Sequence, residues 1–274
     1  MNKTWLITGT SSGLGRLMTE KLLERGDRVV ATLRQVEKLH ALKTRYGEQL
    51  SLISLELTDS ADTGAAVAEA FAWAGKIDVV VSNAGYGLFG AAEELSDEQI
   101  ARQLATNLTG SVQLIRAVLP FLRHQGGGRI MQVSSEGGQI AYPNFSLYHA
   151  TKWGIEGFIE AVSQEVAAFG IDFIIAEPGP TGTQFAASLD QADPMPCYEN
   201  TASGEMRRAL ACGEFKITGD AAKTVDEMIA CADEQQPPLR LPLGSTAYFN
   251  IHKALSDRLR ALEAVEKRAC SADA

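Results

Sequence analysis

The chain has 274 residues, of which 45% are hydrophobic and 22% are charged. These proportions are typical of a globular protein, and the length is sufficient to bury a large core without disulfides or metals. The net charge of −9 argues against a nucleic-acid partner, because an acidic surface repels the phosphate backbone. The sequence has no polybasic segment and no apolar run of about 18 residues, so we expect a cytoplasmic protein without a membrane partner.

The four cysteines are far apart and form no Cys-x-x-Cys pair or Cys/His cluster. We therefore expect reduced thiols and no metal site.

Short apolar runs alternate with longer helical patterns along the first two thirds of the chain. The pattern predicts strands at Trp5–Thr8, Arg28–Leu33, Leu50–Leu55, Ile77–Val81, Arg129–Val133 and Ile171–Ala176. It predicts helices at Leu14–Arg25, Val36–Tyr46, Ala61–Ala74, Asp97–Arg123 and Tyr148–Phe169, the fourth opened by a capping box at Ser96–Gln99. Helices between consecutive strands act as crossover connections, which join parallel strands. The strands are apolar throughout, as expected when both faces of a sheet are buried rather than one being exposed to solvent. We expect a doubly wound parallel α/β sheet of about seven strands in a single domain.

The pattern loosens after residue 183. We expect residues 4–183 to form a core for binding and chemistry, 184–218 a mobile substrate loop with a short helix near Glu205–Ala211, and 219–274 the closing elements. These are helices at Asp220–Ala232 and Thr246–Lys267, an edge strand at Leu239–Pro242, and a disordered tail.

A glycine-rich loop follows the first predicted strand, with glycines at positions 9, 13 and 15. At a junction between a strand and a helix, such a loop admits a tight turn and a close backbone approach to a diphosphate, which the free N–H groups of the helix start then bind. The loop predicts a Rossmann-type dinucleotide site formed by Gly9, Ser11, Ser12, Gly13, Leu14 and Gly15.

The spacing Gly-x-x-x-Gly-x-Gly resembles that of the classical short-chain dehydrogenase/reductase family. Four further elements occur in the family's order: Asn83-Ala84-Gly85 after the fourth strand, Asn107 within a helix, Ser135 placed 13 residues before Tyr148-x-x-x-Lys152, and Pro178-Gly179-x-Thr181-x-Thr183 after the sixth strand. The resemblance covers residues 4–183, and a chance match of all five elements is very improbable.

The resemblance implies an oxidoreductase that interconverts a ketone or aldehyde and an alcohol by hydride transfer. Tyr148 would be the general acid/base and Ser135 would hold the substrate oxygen. Lys152 would bind the nicotinamide ribose, and Asn107 would hold a water that links Lys152 to solvent. Independently of the family, a nearby ammonium favours a phenolate, so we expect Lys152, together with the nicotinamide charge of the oxidised cofactor, to lower the pKa of Tyr148.

The second strand ends at Arg34 and lacks the acidic residue that usually binds the adenosine ribose of NAD. Because a guanidinium suits a phosphate, we expect NADP(H) in preference to NAD(H), with Arg34 at the 2′-phosphate, helped by Ser11 or Arg16. The resemblance places Glu56 and Leu57 beside the adenine ring, where the family commonly has aspartate in place of Glu56.

Several alternatives stay open. The chain is an NAD-dependent alcohol dehydrogenase if Arg34 is only a surface residue, or a non-catalytic NADP(H)-binding regulator, although such proteins typically lose the Tyr–Lys pair. Isomerases and dehydratases usually belong to the extended branch, whose glycine spacing this chain lacks. The C-terminal third resembles the branch of hydroxysteroid and retinol-type dehydrogenases without naming a substrate. We expect a homodimer through the helices that carry Asn107 and Tyr148, with a tetramer as the alternative.

Overall fold

The chain forms two sheets in the computed structural model, which describes residues 2–214 and 216–273. The main sheet contains β1 (Thr4–Thr8), β2 (Arg28–Leu33), β3 (Leu50–Ser54), β4 (Val79–Ser82), β6 (Gly128–Val133), β7 (Ile171–Pro178) and β9 (Arg240–Leu243), and a small sheet joins β5 (Leu88–Phe89) to β8 (Asp190–Gln191). The strand order of the main sheet is β3-β2-β1-β4-β6-β7-β9, with parallel neighbours throughout. The predicted doubly wound α/β sheet of seven strands is confirmed.

Helices connect the strands of the main sheet or follow its last strand. They are α1 (Gly13–Arg25), α2 (His40–Tyr46), α3 (Ser60–Ala74), α4 (Asp97–Leu104), α5 (Ser111–His124), α6 (Ser146–Val166), α7 (Ala202–Ala211), α8 (Ala221–Asp233), α9 (Ser245–Glu263) and α10 (Glu266–Cys270). The predicted capping box at the start of α4 is present: Ser96 Oγ accepts from Gln99 N at 3.2 Å, and Gln99 Oε1 accepts from Ser96 N at 3.1 Å.

Two predicted helices and the predicted disordered tail differ from the structure. The expected helix Asp97–Arg123 is interrupted by a π-helical segment at Ala105–Gly110, which hydropathy periodicity does not reveal. The expected helix Val36–Tyr46 begins as a 3₁₀ segment at Val36–Leu39. The disordered tail expected after Lys267 is wrong for its first residues, because α10 continues to Cys270.

Both faces of the main sheet are buried, which explains the uninterrupted apolar strands. In β1, Trp5 and Ile7 belong to one core cluster, and Leu6 points to the other. The first cluster is covered by α1, α2 and α8, and the second by α3, α5 and α6. Full burial of each large apolar side chain contributes about 1.5–3 kcal/mol, so the two layers fix the sheet firmly.

The order in which strands are added to the sheet reverses between β1 and β4, since β2 and β3 lie on one side of β1 and the later strands on the other. In doubly wound sheets, ligands bind in the crevice outside the carboxyl ends of the strands at this switch point. No described helix is both long and apolar enough to cross a membrane.

Candidate active site

A cavity of about 790 Å³ opens at the carboxyl ends of β1, β2, β4, β6 and β7. Its volume is in the range of small-molecule and cofactor sites. Most predicted site residues line it: Gly9, Ser11, Ser12, Gly13, Leu14, Arg34, Glu56, Leu57, Asn83, Ala84, Gly85, Ser135, Tyr148, Lys152, Pro178, Gly179, Thr181 and Thr183. Gly15 and Asn107 are not among the lining residues and lie behind the cavity wall.

In the glycine loop, Gly9 and Gly15 lie too close to neighbouring atoms for a larger residue, whereas Gly13 faces open space. Gly9 has φ +71°, and a Cβ there would lie 2.7 Å from Ala84 Cα; a Cβ on Gly15 would lie 2.6 Å from the Gly9 carbonyl oxygen. Gly13 has φ +57° and faces open space, with no atom within 4 Å of a Cβ placed on it. The loop therefore leaves a cradle at Gly13 against the start of α1, and this arrangement fits the diphosphate of a dinucleotide.

Asn83 fixes this loop from the next strand along the sheet. Its Nδ2 donates to the carbonyl oxygens of Thr8 at 2.9 Å and Gly9 at 3.2 Å. The backbone N–H groups of Asn83 and Ala84 donate to Thr8 Oγ1 at 3.0 and 3.1 Å. The Asn83 side chain therefore positions the glycine loop, a role that the family resemblance did not specify.

Arg34 lies exposed at the end of β2 and makes no ion pair or side-chain hydrogen bond with another residue in the described parts of the chain. Arg16, the other cation considered, bonds Glu20 Oε1 at 2.5 Å and the Lys38 carbonyl oxygen at 3.1 Å. Arg34 is thus the arginine at this end of the cavity whose guanidinium is available to an anion.

Glu56 turns back on its own loop. Its Oε1 accepts from the Thr58 hydroxyl at 2.8 Å and from the Thr58 backbone N–H at 3.2 Å. The carboxylate thereby shapes the cavity rim next to Leu57.

The predicted Ser–Tyr–Lys set comes together on one wall of the cavity. Lys152 is buried, its Nζ donates to the Val133 carbonyl oxygen at 2.9 Å, and it lies 5.5 Å from the centre of the Tyr148 ring. Ser135 Oγ accepts from the Gly137 backbone N–H at 3.0 Å. Because its oxygen accepts that bond, the Ser135 hydroxyl proton remains available to a partner in the cavity.

Burial dominates the ionisation of the Tyr–Lys pair in the protein alone. It raises the pKa of Tyr148 to about 12, with Glu136 acting in the same direction and a hydrogen bond from the Ser135 hydroxyl opposing it. Burial also lowers the pKa of Lys152 to about 8, which the nearby Glu156 carboxylate opposes. In the protein alone the net shift of the Tyr148 pKa is upward, because desolvation disfavours the charged forms of both groups; the lowering expected from Lys152 together with the oxidised cofactor stays a prediction.

Asn107 lies in the π-helical segment, and its side-chain amide hydrogen-bonds the backbone of the loop after Gly85. Its Nδ2 donates to the Tyr86 carbonyl oxygen at 2.7 Å, and its Oδ1 accepts from the Tyr86 N–H at 3.1 Å. The Ser111 hydroxyl donates to the Asn107 carbonyl oxygen at 3.1 Å. The side chain thus ties α4 and α5 to the cavity wall, and a water relay through Asn107 stays a prediction.

A buried network that the sequence analysis missed lies beneath Lys152. Arg240 on β9 donates to Glu156 at 2.6 Å, Glu177 at 2.5 Å and Glu160 at 2.7 Å. Glu156 also accepts from Ser134 Oγ at 2.5 Å. Burial and the neighbouring Glu156 raise the pKa of Glu177 to about 7. Glu156 follows Lys152 by four residues, so the helical spacing alone points to it, whereas no local signal points to Arg240.

His149, the residue after Tyr148, is buried. Its Nδ1 lies 2.8 Å from the Gly137 carbonyl oxygen and 2.7 Å from that of Ile140. Burial lowers its pKa, so the neutral ring supports the turn after Ser135.

The segment expected as a substrate loop forms part of the cavity wall. Its strand β8 pairs with β5, and Asp190 accepts from Gln99 Nε2 at 3.1 Å and pairs with Arg102. The Phe185 ring lies 5.6 Å from the Tyr148 ring. These contacts place an apolar side chain beside the catalytic candidates.

The described residues contain no group of three or more His, Cys, Asp or Glu placed to hold a metal ion. Cys197, Cys212 and Cys270 are exposed, Cys231 is buried, and all four are free thiols.

Comparison with known proteins identifies the class. A family model described as short chain dehydrogenase matches residues 3–194, and the chain belongs to this family. It is an NAD(P)-dependent short-chain dehydrogenase/reductase, as the cavity and its lining residues had indicated.

Individual relatives agree with this assignment. The chain is 39% identical to oxidoreductase BOA17 of Botryotinia fuckeliana, covering 93% of each chain. It is 35% identical to a 3-ketodihydrosphingosine reductase of Bacteroides thetaiotaomicron, covering 87% of each. A crystal structure of a short-chain dehydrogenase from Streptomyces avermitilis superposes with a TM-score of 0.89 at 33% identity, covering 99% of this chain and 98% of that one.

Proposed function

We propose that the protein is an NADP(H)-dependent reductase of ketones or aldehydes, or an alcohol dehydrogenase in the reverse direction. The observation that carries the proposal is the meeting of Ser135, Tyr148 and Lys152 on one wall of the cavity that the glycine loop also lines. Gly13 and the start of α1 would hold the dinucleotide diphosphate. When bound, the nicotinamide ring supplies or takes up the hydride.

Proton transfer falls to Tyr148. The Ser135 and Tyr148 hydroxyls both donate to the substrate carbonyl oxygen, and Tyr148 gives up its proton as that oxygen becomes an alcohol. With a pKa of about 12 in the protein alone, Tyr148 is protonated at neutral pH and ready for reduction. Lys152 stabilises the resulting phenolate by its positive charge, and its bond to the Val133 carbonyl holds it in place.

The test is a panel of ketones and aldehydes with NADPH, followed by absorbance of the reduced cofactor. Consumption with at least part of the panel is expected. Tight NADPH binding without turnover across a broad panel would favour the non-catalytic regulator instead.

Replacing Arg34 with aspartate is expected to raise the Kd for NADPH by about ten- to hundredfold, the effect of losing a bond to a charged group. The Kd for NADH should fall or stay level, since the new carboxylate can accept from the ribose hydroxyls. Both constants are measured by cofactor fluorescence. Arg45→Asp, the same charge change on an exposed residue outside the cavity lining, is the control. An equal effect of both variants on the two cofactors would contradict a role for Arg34.

The proposal also includes a cytoplasmic location and a homodimer through the helical segments that carry Asn107 and Tyr148, with a tetramer as the alternative.

A further inference from the structure

A carboxylate that the mechanism does not use lies on the cavity wall next to Ser135. Glu136 is 3% exposed and lines the cavity. Its Oε1 accepts from the Tyr142 hydroxyl at 2.8 Å, and its Oε2 accepts from Asn250 Nδ2 at 3.2 Å. Asn250 also donates to the Tyr142 hydroxyl oxygen at 3.0 Å, so Tyr142 and Asn250 together hold the carboxylate in one orientation.

The two donors to Glu136 are neutral, and within residues 2–214 and 216–273 no cation lies at ion-pair distance from it. The cavity-lining cations are engaged or placed elsewhere: Lys152 bonds the Val133 carbonyl, Arg102 pairs with Asp190, and Arg34 lies at the end of β2. A buried carboxylate is costly unless a positive charge compensates it. Burial accordingly raises the pKa of Glu136.

The position of Glu136 relative to the chemistry limits what could compensate it. It directly follows Ser135, and consecutive Cα atoms are about 3.8 Å apart. Glu136, Ser135 and Tyr148 also line the same cavity. A group bound to Glu136 therefore lies in the cavity that would hold the reacting carbonyl between Ser135 and Tyr148.

We infer that Glu136 is a specificity-determining residue that binds a substrate ammonium close to the reacting carbon, and that the substrates are amino ketones and the corresponding amino alcohols. This inference rests on the proposed function. The ammonium carries three donors, and the carboxylate has lone pairs beyond those used by Tyr142 and Asn250. The carbonyl is reduced in the ordinary way, and the ammonium takes no part in bond making or breaking.

The experiment compares two ketones of similar shape, phenacylamine and propiophenone, in which an ammonium replaces a methyl group. The wild-type protein is expected to favour phenacylamine by about tenfold or more in kcat/KM, as befits a bond to a charged group. Glu136→Gln should reduce this preference to within about threefold while affecting propiophenone much less. No preference in the wild type, or the same preference in Glu136→Gln, would overturn the inference.

Three controls sharpen the result. Phenacyl alcohol offers a neutral donor at the same position; if it is favoured as strongly as phenacylamine, the charge is irrelevant and the inference fails. Tyr142→Phe removes a neutral partner but keeps the carboxylate, so the preference for phenacylamine should persist. Glu93→Gln makes the same charge change on an exposed residue and should leave the preference intact.

A binding measurement separates this inference from the proposed function. With NADP⁺ present, phenylethanolamine should raise the midpoint of thermal unfolding more than α-ethylbenzyl alcohol does, and Glu136→Gln should abolish the difference. Equal stabilisation by both alcohols in the wild type would overturn the inference. If no carbonyl compound is reduced but the difference in stabilisation holds, the reductase proposal fails and the ammonium site stands.

Discussion

The variant Tyr148→Phe is expected to lower kcat for carbonyl reduction by about a thousandfold or more, since general acid catalysis typically contributes about 10²–10⁴-fold. The ring would keep its contacts with Phe145 and Phe185 at 6.0 and 5.6 Å, so the cavity should retain its shape. The Kd for NADPH should therefore remain within about threefold of the wild-type value, because only one hydroxyl is lost. The loss appears in kcat rather than in cofactor binding, as expected for an interaction made in the transition state.

The measurement pairs steady-state turnover with NADPH fluorescence titration. Tyr142→Phe is the matched control, because it removes a tyrosine hydroxyl from the same cavity without touching the proposed proton donor. Its turnover of propiophenone should fall far less than that of Tyr148→Phe. A Tyr148→Phe protein with near wild-type turnover would refute the proposed mechanism.

The sheet was predictable because its signal is local. Each strand is an apolar run that must be buried on both faces, and each glycine or cap that ends an element acts within a few residues. The motif residues were predictable for the same reason, since Tyr148 and Lys152 share a helix face at i, i+4 and Ser135 lies just after the end of β6. Strand ends that meet at one edge of a parallel sheet then bring these residues to the same cavity.

What the sequence could not provide depends on contacts between distant segments. The amide of Asn107 bonds the backbone of Tyr86 because a π-helical segment turns it there, and periodicity does not register one extra residue in a turn. Asn250 reaches Glu136 across more than a hundred positions of sequence. The direction of the Tyr148 pKa also depends on burial, which only the packed structure reveals.

The ion pairs of Arg240 with Glu156 and Glu177 are contacts between distant segments that should contribute to stability. We expect Arg240→Met to lower the free energy of unfolding by about 3 kcal/mol at pH 8, in the range found when one partner of a buried ion pair is removed. Glu156 and Glu177 are each 1% exposed and would lose their cationic partner. Urea unfolding followed by tryptophan fluorescence measures the loss.

The loss should depend on pH in a definite direction. The pKa of Glu177 is already raised from 4.5 to about 7, and removing Arg240 takes away a group that lowers it. A carboxyl group whose pKa is raised by folding contributes stability below its unfolded pKa and loses it as pH rises through the folded value. The difference between wild type and Arg240→Met should therefore be small near pH 5 and grow toward pH 8. A loss of equal size at both pH values would mean that packing, not charge, accounts for it.

Neutralising the carboxylates should restore what removing the cation destroys. In the triple variant Arg240→Met, Glu156→Gln, Glu177→Gln, the two buried carboxylates that Arg240 compensated are neutral, and most of the lost stability should return. Arg260→Met, which breaks an exposed pair with Asp257, should change stability little. The triple variant also tests the link to the active site: Glu156 favours the charged form of Lys152, so its loss should lower the pKa of that ammonium further. Turnover that depends on charged Lys152 should then require a lower pH, even where the fold has recovered.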